Sequence, residues 1–148
     1  MPLAIGDLAP PVPGLPADGP RAVVFYKVTC PTCQLAAPGL DAFQRAYAGH
    51  AQAVGQDPPE KLRAFADEYG FTVPVISDAP PYEISNAYGI ETVPTTFVID
   101  GQGSVADVVE AWDREGLNRA SKALANLLGA EAVTISGPSD GLPAFKPG

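Results

Sequence analysis

Ala22-Val23-Val24-Phe25-Tyr26-Lys27-Val28-Thr29-Cys30-Pro31-Thr32-Cys33 is the stretch whose reading decides the fold. It opens on an uninterrupted apolar run, and residues 22–27 are predicted to form a buried strand. After Cys33 the period becomes helical, with Leu40, Phe43 and Tyr47 on one face, Pro38 as a kink and Gly49 as the stop. The two thiols therefore stand where a strand passes into a helix. Unpaired N–H groups and the macrodipole at a helix N-terminus favour an anion, so a thiolate there is stabilised and its pKa falls. These are the only two cysteines of the chain, so neither has another intrachain partner.

Upstream, Pro2, Pro10, Pro11, Pro13, Pro16 and Pro20 forbid a helix and most strand pairing. Residues 1–20 are expected to be a Pro-rich extended arm on the body. Downstream, residues 50–55 read as a short strand and Asp57 as the cap of a helix, with Glu60 completing a capping box. Leu62, Phe65, Ala66 and Tyr69 form that helix's apolar stripe, and Gly70 ends it. Residues 73–77 read as a strand and 84–88 as a short helix. Residues 95–100 and 105–111 form an antiparallel hairpin around Gly101-Gln102-Gly103. Asp113 caps a last helix carrying Leu117, Ala120 and Leu124 inward and ending at Gly129. The order β-α-β-α-β-α-β-β-α predicts an α/β fold, a central mixed sheet with helices on both faces. Residues 21–129 form the domain. Residues 130–148 are a tail expected to pack on it through Val133, Ile135, Leu142 and Phe145, with one possible strand at 133–135.

Composition narrows the function. The chain of 148 residues is 46% hydrophobic and 18% charged, which is globular, and one domain is the expectation at this length. A formal charge of −8 argues against nucleic acid and against an anionic membrane surface. The first seven residues have neither a basic segment nor an apolar one, and no run of about 20 apolar residues occurs, so a cytoplasmic location is expected. In that compartment a CxxC is more often catalytic or metal-binding than structural.

Cys30-Pro31-Thr32-Cys33 by itself admits a redox dithiol, half of a zinc site, or an inert pair. Zinc takes four ligands, and His50 is the only histidine. A disulfide across two residues constrains the unfolded chain little, which weakens the structural reading. A second element, Val93-Pro94-Thr95, puts a proline at the opening of a core strand, where either a cis bond or an ordinary strand start fits.

Together the two elements resemble the thioredoxin superfamily. Cys30-Pro31-Thr32-Cys33 matches its strand–helix CxxC, Pro38 its kinking proline, and Val93-Pro94-Thr95 its X-cis-Pro-Thr loop. The inserted unit at 54–69, Phe97-Val98-Ile99-Asp100 with its glycine turn, and the opening Ile5-Gly6-Asp7-Leu8-Ala9-Pro10 are similar to the TlpA-like and peroxiredoxin-like (AhpC/TSA) branch. The resemblance covers about residues 5–128 and implies a thioredoxin-like three-layer sandwich. It departs from the pattern at Thr29, where many thioredoxins carry Trp, and at Val24, where many carry a buried Asp that helps move protons. Lys27 is a candidate local positive charge. The peroxiredoxin Pro-xxx-Thr/Ser-xx-Cys pattern fits neither cysteine: Val23 and Lys27 precede Cys30, and Tyr26 and Cys30 precede Cys33, at the positions it needs.

What the resemblance implies is an enzyme, a thiol-disulfide oxidoreductase. Cys30 would attack and Cys33 resolve. Pro31, Thr32, Val93, Pro94 and Thr95 would bind an extended substrate, with the Val93 backbone pairing to it. The expected partners are disulfide-containing proteins and an external thiol or reductase electron donor, with no bound cofactor or metal, no nucleic acid and no membrane. The protein is expected to be a monomer. A peroxide-reducing antioxidant role and a non-catalytic binding or chaperone module are the alternatives. His50, Trp112, Asp57, Glu60, Asp67 and Glu68 are read as surface, packing, capping or solvated groups.

Overall fold

A computed structural model describes residues 1–16 and 18–148. The opening apolar run is β1 (Arg21–Tyr26), buried along its whole length. After it come α1 (Pro31–Ala46), β2 (Ala51–Gly55), α2 (Pro59–Tyr69), β3 (Val75–Ser77) and α3 (Glu83–Ala87). The chain continues through β4 (Thr95–Ile99), β5 (Val105–Glu110), β6 (Trp112–Asp113), α4 (Arg114–Leu128) and β7 (Phe145–Lys146). The main sheet runs β3-β2-β1-β4-β5. β1 and β2 are parallel, as are β2 and β3, because a helix connects each pair. β4 joins β1 antiparallel, and the hairpin partner β5 closes that side.

Alternation along β1 sorts the core into two layers. Ala22, Val24 and Tyr26 pack with Cys33, Leu40 and Phe43 of α1, Leu62 and Phe65 of α2, and Leu117, Ala120 and Leu124 of α4. Val23 and Phe25 pack on the opposite face with Val54, Phe97, Ile99, Tyr88 and Val12, against which Ile84 of α3 also rests. The fold is thus the α/β thioredoxin-like sandwich, with helices on both faces of a mixed sheet. The second face carries only the five-residue α3, and the N-terminal arm helps complete it.

That arm is bonded as well as packed. Gly6 N–H donates to Val105 O, Val105 N–H to Asp7 O, and Ala9 N–H to Gly103 O, each at 2.8 Å. A proline-rich segment thereby satisfies part of β5, which would otherwise be an open edge.

Local chemistry places most helix ends where the sequence predicts. Asp113 caps α4 by accepting the Gly116 N–H at 3.1 Å, and Gly129 ends it at φ 69. α1 stops at Ala46, and Gly49, at φ 86, makes the turn into β2. Gly39 is needed for packing: a Cβ there would come within 2.5 Å of the Trp112 ring, which is fully buried against α1. Asp57 is different. It does not cap α2; Pro58 occupies the cap position with no side-chain bond. Residues 133–135 form no strand, and the tail instead contributes β7, paired antiparallel with β6. Ile135 is buried and Leu142 packs on the core, whereas Val133 and Phe145 are exposed.

Candidate functional site

Strand register brings the site together. Tyr26 at the end of β1 pairs with Gly55 at the end of β2, so residues 27–30 and 56–58 leave the sheet side by side. On the other flank Phe25 pairs with Thr95, the first residue of β4, so Val93-Pro94 arrives beside the same strand end. The dithiol, the Val93 loop and Asp57 thus meet at one edge of the sheet although far apart in sequence.

Cys30 is the N-cap of α1, and its sulfur accepts the Cys33 N–H at 3.1 Å. Its S–H donates to Val93 O at 3.4 Å. Both thiols are free. Cys30 is half-buried, and its pKa is drawn down to about 6. The main cause is a hydrogen bond from the Cys33 thiol; burial opposes it, and the Cys33 and Thr32 N–H groups and the Lys146 charge assist. Cys33 is fully buried and pushed far above the ordinary thiol range. Burial is the largest cause, followed by its hydrogen bond to Cys30; the charges of Cys30 and Asp57 add to it.

The other expected site residues surround this pair. Pro31 begins α1 and is exposed. Thr32 is buried, and its hydroxyl donates to Pro147 O at 2.5 Å. Val93-Pro94 is a cis bond, with Val93 half-buried and Pro94 buried. Thr95 is buried and its hydroxyl donates to Thr92 O at 2.8 Å, which ties down the loop.

Two groups escaped the sequence reading. Asp57 is buried; it accepts the Val28 N–H at 2.9 Å and lies 4.0 Å from the Lys27 ammonium. Its charge acts on Cys33, and also on Tyr26, whose phenol is pushed up chiefly by burial. The Tyr26 hydroxyl has no hydrogen-bond partner among the described residues. A buried carboxylate therefore reaches the second thiol from the end of β2, while β1 carries Val24. The available signal was its place just past the end of a parallel strand, where α/β folds put their chemistry. The second group is Lys146: it, not Lys27, supplies positive charge to Cys30, while Lys27 faces Asp57 and the Tyr82 ring. His50 is exposed, away from this cluster's contacts. Among the described residues no group of three or more His, Cys, Asp or Glu is placed to hold a metal ion. Thiol-disulfide exchange itself needs no bound cofactor, since electrons pass from sulfur to sulfur.

The chain is similar to known thiol-disulfide proteins. The chain is 28% identical over 99 residues to the thioredoxin-like protein YneN of Bacillus subtilis, covering 62% of this chain and 57% of that protein. It is 30% identical over 90 residues to the thiol-disulfide oxidoreductase ResA of Geobacillus thermodenitrificans, covering 57% of this chain and 51% of ResA. The chain thus spans about half the length of the curated relatives it matches. A solved thiol:disulfide interchange protein, DsbE of Chlorobium tepidum, superposes with a TM-score of 0.70 at 23% identity, over 86% of this chain and 99% of that one. These relatives correct the cytoplasmic expectation: ResA and DsbE are membrane-anchored, extracytoplasmic proteins. A leader or an anchor is a segment apart from the redox fold, so the fold's own residues carry no record of it. Among the described residues no helix is long and apolar enough to cross a membrane. The AhpC/TSA family model matches residues 17–108, from ahead of β1 into β5 and so across both the dithiol and the Val93 loop, and the chain belongs to that family.

Proposed function

We propose that this protein is a thiol-disulfide oxidoreductase acting on protein disulfides. The observation that carries the reading is the opposite setting of two thiols one helical turn apart. Cys30 is half-buried at the N-cap of α1, accepts the Cys33 N–H and has its pKa drawn down to about 6, whereas Cys33 is fully buried and its pKa is pushed up. The Cys30 thiolate attacks one sulfur of the substrate disulfide. The new Cys30–substrate disulfide forms as the old S–S bond breaks, and the other substrate sulfur leaves as a thiolate and takes up a proton. Cys33 then loses its proton and attacks the Cys30 sulfur. The intramolecular disulfide forms and the second substrate thiolate departs, so two electrons have passed to the substrate. We assign Asp57, the buried carboxylate whose field reaches Cys33, to receive that proton. Thr32, Val93 and Pro94, with Pro31 at the helix tip, form the groove for an extended substrate segment, and Thr95 holds the loop. An external thiol or reductase returns the protein to the dithiol. Residues 21–129 form the redox unit, flanked by the arm and the tail, and it works as a monomer.

The test is reduction of insulin disulfides with dithiothreitol as donor. Turnover is expected for the native chain, loss with Cys30→Ser, and an accumulated mixed disulfide with Cys33→Ser. Full turnover in both variants would defeat the two-thiol mechanism. The AhpC/TSA match supports a second reading, an antioxidant one. Here the Cys30 thiolate takes one oxygen from a peroxide, releasing an alcohol or water, and the sulfenate condenses with Cys33 and expels water. Val23 and Lys27 stand where a peroxiredoxin carries Pro and Thr/Ser, which weighs against it. Peroxide consumption faster than insulin reduction would reverse the order of the two.

A further inference from the structure

The C-terminal tail lies over the groove just assigned to substrate. Pro143 O accepts the Trp112 indole N–H at 2.7 Å, and Ala144 O accepts the Arg114 N–H at 2.9 Å. Phe145–Lys146 then pairs with β6, and Pro147 O takes the Thr32 hydroxyl. Gly148 ends against the Val93 loop so closely that a Cβ there would overlap Thr92 Oγ1 and Val93 O. The tail's last residues thus occupy Thr32 and crowd Val93 O, the two polar contacts an extended substrate would use beside Cys30.

We propose that residues 145–148 are an intramolecular strap that competes with protein substrates for the Thr32–Val93 groove. This rests on the oxidoreductase reading above and names how that site is regulated. The strap is held lightly. Phe145, Pro147 and Gly148 are exposed, and Phe145 buries little of its ring at 58% exposure. An exposed segment held by a few backbone bonds opens at low cost. While it is closed, a protein substrate meets only the open fraction, and its apparent affinity falls by that fraction. A small disulfide that needs the sulfur but not the groove feels no such competition.

Two variants test this beside the native chain: deletion of residues 145–148, and Gly148→Val, which pushes the tail end off Val93 while keeping Lys146. The deletion leaves the Pro143 and Ala144 bonds in place, and unchanged circular dichroism verifies the fold of each variant. KM for insulin is expected to fall about fivefold to tenfold in the deletion, and in the same direction in Gly148→Val. In Gly148→Val, which keeps Lys146 beside Cys30, the rate with the small aromatic disulfide DTNB at pH 8 stays within about twofold, since that disulfide needs the sulfur but not the groove. A synthetic peptide of residues 142–148 added to the deletion variant restores the higher KM. Equal insulin KM in all three proteins would overturn the strap. So would equal gains with insulin and DTNB, which would mean general exposure of the sulfur. If none of the proteins reduces insulin or DTNB, the oxidoreductase reading fails and takes the strap with it.

Discussion

Cys30 and Cys33 are the same chemical group on the same helix, yet the fold treats them oppositely. The tip of α1 gives Cys30 two backbone N–H groups, partial solvent exposure and a nearby ammonium. One turn further in, Cys33 meets the apolar layer of Ala36, Leu40 and Tyr26 and the field of a buried carboxylate. Hydrogen bonding to the charged form dominates at the first and desolvation at the second. Two identical side chains acquire opposite pKa shifts by a displacement of one helical turn, and the proposed roles of nucleophile and resolving thiol follow from that difference.

The contrast breaks most completely by removing one sulfur at a time. Cys30→Ser should lower disulfide turnover on the order of 10⁴-fold or more, the scale seen when a nucleophile is deleted. Cys33→Ser should keep the attack and lose the resolution, so that mixed disulfide accumulates in mass spectra. Asp57→Asn comes next. Asn still accepts the Val28 N–H, so a purely structural role predicts unchanged turnover. Loss of the proton acceptor instead predicts a fall of about tenfold to a hundredfold with slow release of mixed disulfide. The same variant should bring the Cys33 pKa down.

The pH profile sharpens the comparison. With a Cys30 pKa near 6, alkylation of the reduced protein should rise about tenfold from pH 5 to pH 7 and then level off, with the adduct on Cys30 alone. Preferential labelling of Cys33 would reverse the assignment. The smallest effect is on stability. Cys30 has a depressed folded pKa, so its contribution is fully present above the unfolded thiol value and is lost as pH falls through about 6. Cys33 has a raised one, so its contribution is present at lower pH and is lost above the unfolded thiol value. Thermal melts of the reduced protein should gain stability from pH 6 to about 8.5, by about 1 kcal/mol after solvent screening, and lose it again at higher pH. Cys30→Ser should remove the rise and Cys33→Ser the decline.

Sequence reading reached different depths in different places. β1, α1, the 95–110 hairpin and α4 were legible because strong periodicity and good end signals coincide there. The Asp57 cap was misread because a carboxylate ahead of a proline and a helical stripe looks local, and only the pairing of Tyr26 with Gly55 turns it toward Val28 and the dithiol. The possible strand at 133–135 does not form, because β-branched residues carry no information about whether an edge is free to receive them. The role of Lys146 had no local signal at all, since its neighbour Cys30 lies more than a hundred residues away.

By itself the sequence determined the α/β order, the dithiol at a helix tip and the companion Val93-Pro94-Thr95 loop, because period, caps and spacing are short-range properties of a chain. The tertiary structure alone decided which carboxylate faces Cys33, which cation faces Cys30, and that the tail crosses Thr32 and Val93. Those are through-space facts. Desolvation and charge depend on what strand register and terminal pairing bring within a few ångströms, and no local pattern encodes that distance.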